Sequence, residues 1–202
     1  MTRFFTRWFG NDKTSDGNNT PEALEPPASD ADILRDHFSP SPDALAALAK
    51  LVDIIVKPLD TVTRNRLVAY VHDADPGEDT SSILDWVLTR DMSAPETLDP
   101  SNWCLCISVD WRASDEIEWQ ANQMLDTLGI AERWTWDGEG DVPAGLLVLG
   151  AWLAGKGYAL LHLDTGHDAY TAFAVRQDDL AEALALAHAA GAEISMYNDL
   201  QP

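Results

Sequence analysis

The residues best suited to bind a ligand lie where two strand-like sequence patterns end. Asp110 and Trp111 follow an alternating apolar stretch, while Asp164 and Asp168 flank a turn after a second apolar stretch. Carboxylates in such a group bind cations, attract basic partners or act as a general acid–base pair. With the ring of Tyr170 nearby, the pattern also fits a binding groove with aromatic walls and a few polar groups.

Two further candidates lie on the helix that is expected after the first strand. Glu116 adds a carboxylate, and Trp119 lies off the apolar stripe, so that part of its ring is expected to be exposed. The complete candidate binding set is Asp110, Trp111, Glu116, Trp119, Asp164, Asp168 and Tyr170. A structural role is the alternative, because acids form turns in a strongly acidic chain and a tryptophan near a strand end often covers the core.

The string Leu163-Asp164-Thr165-Gly166 matches the catalytic loop of aspartic proteases. That chemistry needs two such aspartates that share a proton, so a chain with one copy would have to form a homodimer. A hairpin turn explains the same residues, because Asp and Thr side chains cap the backbone and glycine adopts a positive φ.

Other catalytic and cofactor motifs are missing from the sequence. It contains no GxSxG elbow, no P-loop and no GxGxxG string. Cys104 and Cys106 are the only cysteines, and their spacing fits two reduced, packed thiols better than a disulfide framework or a metal site. We therefore expect no cofactor, assign no metal ligand and no catalytic residue, and favour a protein that is not an enzyme.

The net charge of −21 restricts the partners that the protein can bind. It argues against a nucleic-acid backbone, because phosphate contacts need clustered Lys and Arg. It is compatible with a basic protein, with a cation or with solubility alone. No apolar run reaches the length of a membrane span and no signal peptide is recognisable, so the expected location is the cytoplasm.

The first 29 residues are expected to form a disordered tail and linker, since they are rich in polar residues and proline. Three basic side chains and one acidic side chain make the first 13 residues basic, against the charge of the rest. The aromatic residues of this terminus are Phe4, Phe5, Trp8 and Phe9. Weak membrane-surface contact, docking onto protein and a plain disordered tail all remain open for it.

The remaining chain predicts an α+β fold. Residues 30–100 read as a helical block whose first helix starts at Ser41 and Pro42, a typical N-cap and first-turn pair. Residues 101–202 read as a sheet domain packed with that block as one unit. The order of strand, helices, strand, hairpin, strand, helix and strand predicts a ferredoxin-like split β-α-β antiparallel sheet.

This arrangement places the first and third strands at the centre of the sheet. Asp110 and Asp168 then become near neighbours at one edge, with Asp164 one strand farther away. The cysteines at positions 104 and 106 are expected to share the face that the helical block covers, because side chains two apart on a strand point the same way.

The carboxyl half resembles a bacterial family of uncharacterised domains. The resemblance rests on the segments at 107–111 (ISVDW), 116–120 (EIEWQ) and 160–170 (LLHLDTGHDAY). Members of that family carry an Asp-Trp after a strand, a Glu-rich helix start and a leucine-rich strand that runs into Asp-Thr-x-x-Asp-x-Tyr. The resemblance covers residues 103–197 and implies a domain boundary and a bacterial source, but no activity.

The function favoured by the sequence is binding of a basic protein partner, with an immunity protein that neutralises a basic toxin as one version. A carboxylate- or metal-dependent hydrolase that uses the same acids is the first alternative. A membrane-peripheral protein tethered by its N-terminus is the second.

Overall fold

The computed structural model describes residues 39–75, 77–93 and 103–196, without the side chains of 91–93. Its helices are α1 (Pro42–Ile55), α2 (Thr61–Tyr70), α3 (Thr80–Ser93), α4 (Ile117–Thr127), α5 (Val142–Ala154) and α6 (Leu180–Ala190). Its strands are β1 (Cys106–Asp110), β2 (Tyr158–Leu163), β3 (Ala169–Arg176) and β4 (Ile194–Met196). Short 3-10 turns at Ser114–Glu116 and Gln177–Asp179 precede α4 and α6.

Local sequence signals fix several of the helix ends. Ser41 caps α1 by accepting a hydrogen bond from the Ala44 amide at 3.1 Å, with Pro42 in the first turn, as the sequence predicts. Asp141 caps α5 in the same way. Gly191 ends α6 in the left-handed conformation with φ of 75°.

The four strands form one antiparallel sheet in the order β1-β3-β2-β4. The α+β class is therefore confirmed, but the ferredoxin-like strand order is not. β4 pairs with β2 rather than with β1, so β1 lies at an edge and the expectation that the first strand is central is wrong. Each strand pattern fixes which side chains are buried, whereas the choice of neighbour depends on how the helices pack.

Helices cover both faces of the sheet and create two apolar cores. On one face, α1, α2, α3 and α6 pack against sheet residues that include Leu161 and Phe173. On the other face, α4 and α5 pack against residues that include Ile107, Leu160 and Ala172. The helical block thus shares the first of these cores with the sheet, and the sheet is the middle of three layers.

The two cysteines do not share a face. Cys106 lies in the core beneath the helical block, whereas Cys104 belongs to the core beneath α4 and α5. The expectation that both lie under the block is wrong because regular pairing with β3 begins only at Cys106. Leu105 and Cys106 both enter the core beneath the helical block. Consecutive side chains therefore do not yet alternate between the two faces of the sheet at this position.

The free edge of β1 is closed by a side chain from α4. Gln120, which is buried, accepts a hydrogen bond from the Ser108 amide at 2.8 Å and donates one to the Ser108 carbonyl at 3.1 Å. Its amide thus binds the two backbone groups that a further strand would bind. An exposed strand edge promotes unwanted pairing between chains, and this contact covers part of that edge.

No helix in the described part of the chain is long and apolar enough to cross a membrane. The expected tail, residues 1–29, lies outside the described residues, and so do Phe4, Phe5, Trp8 and Phe9.

An acidic and aromatic cleft at one end of the sheet

The candidate site is an open cleft of about 430 Å³ at the end of the sheet where β1 and β2 finish and β3 begins. The residues that line it are Trp111, His162, Asp164, His167, Asp168, Ala169 and Tyr170. Antiparallel pairing brings them together, because Asp110, the last residue of β1, lies opposite Ala169, the first residue of β3. The β2–β3 turn supplies the acids between them.

Trp111 forms one wall just beyond the end of β1. Its amide donates a hydrogen bond to the Asp168 carbonyl at 3.3 Å, which fixes the backbone of the wall to the turn. The side chain is 50% exposed, which is unusual for so large an apolar ring. The guanidinium of Arg112 lies 4.3 Å from the ring centre, so this indole already takes part in a cation–π contact.

The β2–β3 turn holds its acids through backbone contacts. The Asp164 carboxylate accepts a hydrogen bond from the Gly166 amide at 2.8 Å, and Gly166 has φ of 68°. The amide of Asp164 donates to the Glu193 carbonyl at 2.8 Å and ties the turn to the residue before β4. Asp164, His167 and Asp168 are all exposed. The turn therefore presents two carboxylates to solvent on a fixed backbone.

His162 and Tyr170 form the floor of the cleft. Both lie on the sheet face that α4 and α5 cover elsewhere, and their ring centres are 6.0 Å apart. Burial lowers the pKa of His162, and the nearby Asp164 carboxylate opposes that shift. The imidazole is therefore largely neutral at pH 7. The carboxylates of Asp164 and Asp168 are the negative charges of the cleft, and the Arg112 guanidinium lies over the Trp111 wall.

Aromatic rings beside fixed carboxylates suit a cationic group such as a lysine ammonium or an arginine guanidinium. Across residues 39–75, 77–93 and 103–196, no group of three or more His, Cys, Asp or Glu side chains is placed to hold a metal ion. The metal-dependent alternative thus has no candidate ligand set in this part of the chain.

The structure brings four of the seven predicted binding residues into this cleft: Trp111, Asp164, Asp168 and Tyr170. Asp110 stands beside it, with its carboxylate accepting a hydrogen bond from the Arg112 amide at 2.9 Å. Glu116 lies before α4 and accepts a hydrogen bond from the Gln120 side chain at 3.4 Å. The carboxylates of Asp110 and Glu116 therefore form hydrogen bonds with residues close to them in the sequence and do not line the cleft.

Trp119 lies in a different depression, on the outer side of α4. It is 50% exposed because the stripe of α4 that includes Ile117 and Ala121 faces the sheet. That depression has a volume of about 620 Å³, and its lining includes Asp115, Glu118 and Asp126. The two half-exposed tryptophans therefore occupy separate sites, and both sites contain carboxylates.

The candidate set from the sequence omits two histidines of the cleft. Both histidines, His162 and His167, are close to Asp164 in the sequence and line the cleft. His162 lies on an apolar strand, and a histidine in such a position is often only a packed core residue. The signal that identifies His162 is its position one residue before the end of β2. It lies on the same sheet face as Ala172 and near the edge of the region that the helices cover.

Comparison with known proteins identifies the family of this three-layer domain. Residues 34–197 match the family model described as Domain of unknown function (DUF6630). The chain belongs to this family, which confirms the resemblance to an uncharacterised domain family. The match begins before α1, so the helical block is part of the family domain. Neither a curated protein nor a solved structure matches the chain.

Proposed function

We propose that this protein is an interaction module that binds a basic segment of a protein partner in the cleft. The observation that carries the proposal is the half-exposed ring of Trp111 beside the exposed carboxylates of Asp164 and Asp168. An immunity-type protein that neutralises a basic toxin is one form of this function. A bacterial cytoplasm is the proposed location, and the two buried free thiols fit a reducing compartment.

The chemistry of the cleft favours a cationic side chain over a neutral one. Arg112 lies over Trp111, so the cation of a partner would use the remaining surface of the ring or replace Arg112 there. A cation–π contact contributes roughly 0.5 to 2 kcal/mol, depending on how far the cation is desolvated. Asp164 and Asp168 add charge-assisted hydrogen bonds, which are stronger than neutral ones.

The charge of the whole chain favours the same class of partner. A net charge of −21 attracts basic proteins over the Debye length and raises their association rate. The second exposed tryptophan, Trp119, also lies beside carboxylates. Long-range attraction thus brings a basic partner to the surface, and the cleft supplies the specific contact.

The test is isothermal titration calorimetry with a capped peptide of glycine alternating with lysine and arginine. The matched probe replaces these residues with acetyl-lysine and citrulline, which removes the charge and largely keeps the shape. The protein variants are Trp111→Ala and the double variant Asp164→Asn with Asp168→Asn. Asparagine at position 164 keeps an oxygen that can accept the Gly166 hydrogen bond.

A second double variant separates the cleft from the overall charge. Asp73→Asn with Asp75→Asn also removes two exposed carboxylates, but from the chain between α2 and α3. We expect the cleft variants to weaken binding of the charged peptide by roughly tenfold, equivalent to about 1.4 kcal/mol, and the control pair by less than about twofold. Equal losses in both pairs would show that the peptide binds through diffuse charge, and the proposed site would be wrong.

A hydrolase that uses the same cleft is the second candidate function. Its supporting observation is His162, a neutral imidazole close to Asp164, which is an arrangement that can accept a proton from water. No Ser, Thr or Cys lines the cleft, so the nucleophile would be water. Hydrolysis of nitrophenyl esters or phosphates that is lost in His162→Gln but retained in His188→Gln would favour this candidate, and the absence of turnover would remove its support.

A further inference from the structure

A second cavity lies at the opposite end of the sheet from the cleft. Its volume is about 280 Å³, and it opens where β3 extends past the start of β1. Pairing between these strands ends at Cys106 and Phe173, so Ala174–Arg176 continue without a β1 partner. The carboxyl ends of α1 and α4 flank this gap from the two faces of the sheet.

The inner walls of the cavity are apolar. Ile54 and Ile55 come from the end of α1, Leu128 from the end of α4, and Ala174 and Val175 from β3. The side chains of the two isoleucines and of Val175 belong to the core beneath the helical block, whereas Ala174 belongs to the core beneath α4 and α5. The cavity therefore offers an apolar ligand contacts with both layers of the core.

The mouth of the cavity is cationic, although the chain as a whole is strongly acidic. The charged residues that line it are Lys57, Arg176 and Asp179. Lys57 forms an ion pair with Asp179 at 2.7 Å. Arg176 is exposed, and its guanidinium lies 5.7 Å from the ring centre of Tyr158. Among the described residues it has no hydrogen bond or ion pair with a carboxylate, unlike Arg64 and Arg133. An exposed arginine without a carboxylate partner can bind an anion.

We infer that this cavity binds a small amphipathic carboxylate, with its apolar chain between the two layers and its head group at Arg176. The ends of α1 and α4 carry negative partial charge from their terminal carbonyls, which disfavours an anion deeper inside. The head group must therefore stay at the mouth, beside Arg176, where Lys57 is already paired with Asp179. A medium-chain fatty acid has this chemistry, and the inference does not depend on the function proposed for the cleft.

The experiment uses the full chain and three probes with the same apolar chain: decanoate, decanol and decylamine. Calorimetry below the micellar concentration measures their affinities for the wild type and for Arg176→Gln, Arg176→Lys and the control Arg133→Gln. Arg133 is exposed, is paired with Asp126 and lines a different depression, on the outer side of α4. Circular dichroism melting verifies that each variant is folded.

We expect decanoate to bind the wild type at least about tenfold more tightly than decanol, and decylamine to bind more weakly still. Arg176→Gln should reduce decanoate binding to the level of decanol without changing decanol binding. Arg176→Lys should retain part of the preference, and Arg133→Gln should retain all of it. The inference is overturned if no probe binds, if the three head groups bind equally, or if Arg176→Gln leaves the preference intact.

Discussion

At the scale of single residues, burial controls the chemistry of the two thiols. Burial raises the pKa of Cys104 from 9.0 to about 11, and a backbone hydrogen bond at Cys106 opposes this shift with a smaller effect. Burial also raises the pKa of Cys106 well above 9.0, and the neighbouring Cys104 and Asp85 add to this shift. Both thiols are therefore uncharged at pH 7 and act as apolar core groups.

These shifts predict a loss of stability at alkaline pH. In the unfolded chain Cys104 loses its proton near pH 9, whereas in the folded chain it keeps it until about pH 11. Between these values the unfolded state binds fewer protons, so the free energy of unfolding falls as the pH rises, by about 2 kcal/mol for this thiol. Urea unfolding at pH 8 and pH 11 measures the fall. In a Cys104→Ala variant the free energy of unfolding should fall by about 2 kcal/mol less over this pH range. A fall identical to that of the wild type would contradict the raised pKa of Cys104.

Gln120 has a larger structural effect than its neighbours on α4. Gln120→Ala removes the two hydrogen bonds with Ser108 and the longer one to Glu116, and it leaves the Ser108 amide and carbonyl without this partner, which we expect to cost about 2 to 4 kcal/mol. The matched variant is Gln123→Ala on the same helix. Its side chain is exposed, so its effect should stay below about 0.5 kcal/mol. Denaturant unfolding compares them, and similar losses would show that the Gln120 amide does not stabilise the edge of β1.

At the scale of elements, two glycines of α5 have different environments. A Cβ atom at Gly145 would lie 2.7 Å from the Ile117 Cδ1 atom and 3.3 Å from the Trp136 ring. Ile117 is fully buried, so its methyl group has little room to move. A Cβ atom at Gly150 would have its nearest neighbour at 3.6 Å, an ordinary contact with Leu160. Close approach of α5 to α4 therefore explains only the first glycine.

The two glycines predict opposite effects of the same substitution. Gly145→Ala should lower the free energy of unfolding by about 1 to 3 kcal/mol, because it overpacks the α4–α5 contact. Gly150→Ala should be neutral or stabilising by up to about 1 kcal/mol, because alanine favours the helical state. Thermal unfolding of both variants measures the difference, and a loss at position 150 that equals the loss at 145 would contradict this packing.

Element positions followed from the sequence because their signals are local. The cap at Ser41, the stop at Gly191 and the alternation in β1 are decided by residues within one or two turns. The place of β4 in the sheet was not predictable in this way. β4 has only three residues, and its pairing with β2 depends on contacts far apart in the sequence.

The cleft was predictable in part for the same reason. Trp111, Asp164, Asp168 and Tyr170 all lie at or near strand ends, and antiparallel pairing brings such ends together in either strand order. Trp119 was grouped with them because it lies off the apolar stripe of its helix, and its ring is half exposed as expected. The same stripe places it on the outer side of α4, in a separate depression, which the sequence pattern did not show.

At the scale of the whole molecule, the three layers leave two openings at opposite ends of the sheet. One has exposed carboxylates and aromatic rings, and the other has apolar walls and a cationic mouth. The two sites therefore differ in the charge of their lining residues, although the chain as a whole has a net charge of −21. Binding of a basic partner to the first should weaken as salt is added, because exposed charges are screened beyond the Debye length.

The most direct test of the proposed function is to locate a bound basic peptide on the protein. Two-dimensional NMR of the isotope-labelled full chain, titrated with the lysine–arginine peptide, reports each backbone amide separately. We predict saturable shifts concentrated at Trp111 and across residues 162–170, which disappear in Trp111→Ala and with the uncharged peptide. Shifts spread evenly over the acidic surface, or centred elsewhere, would contradict a specific site in the cleft.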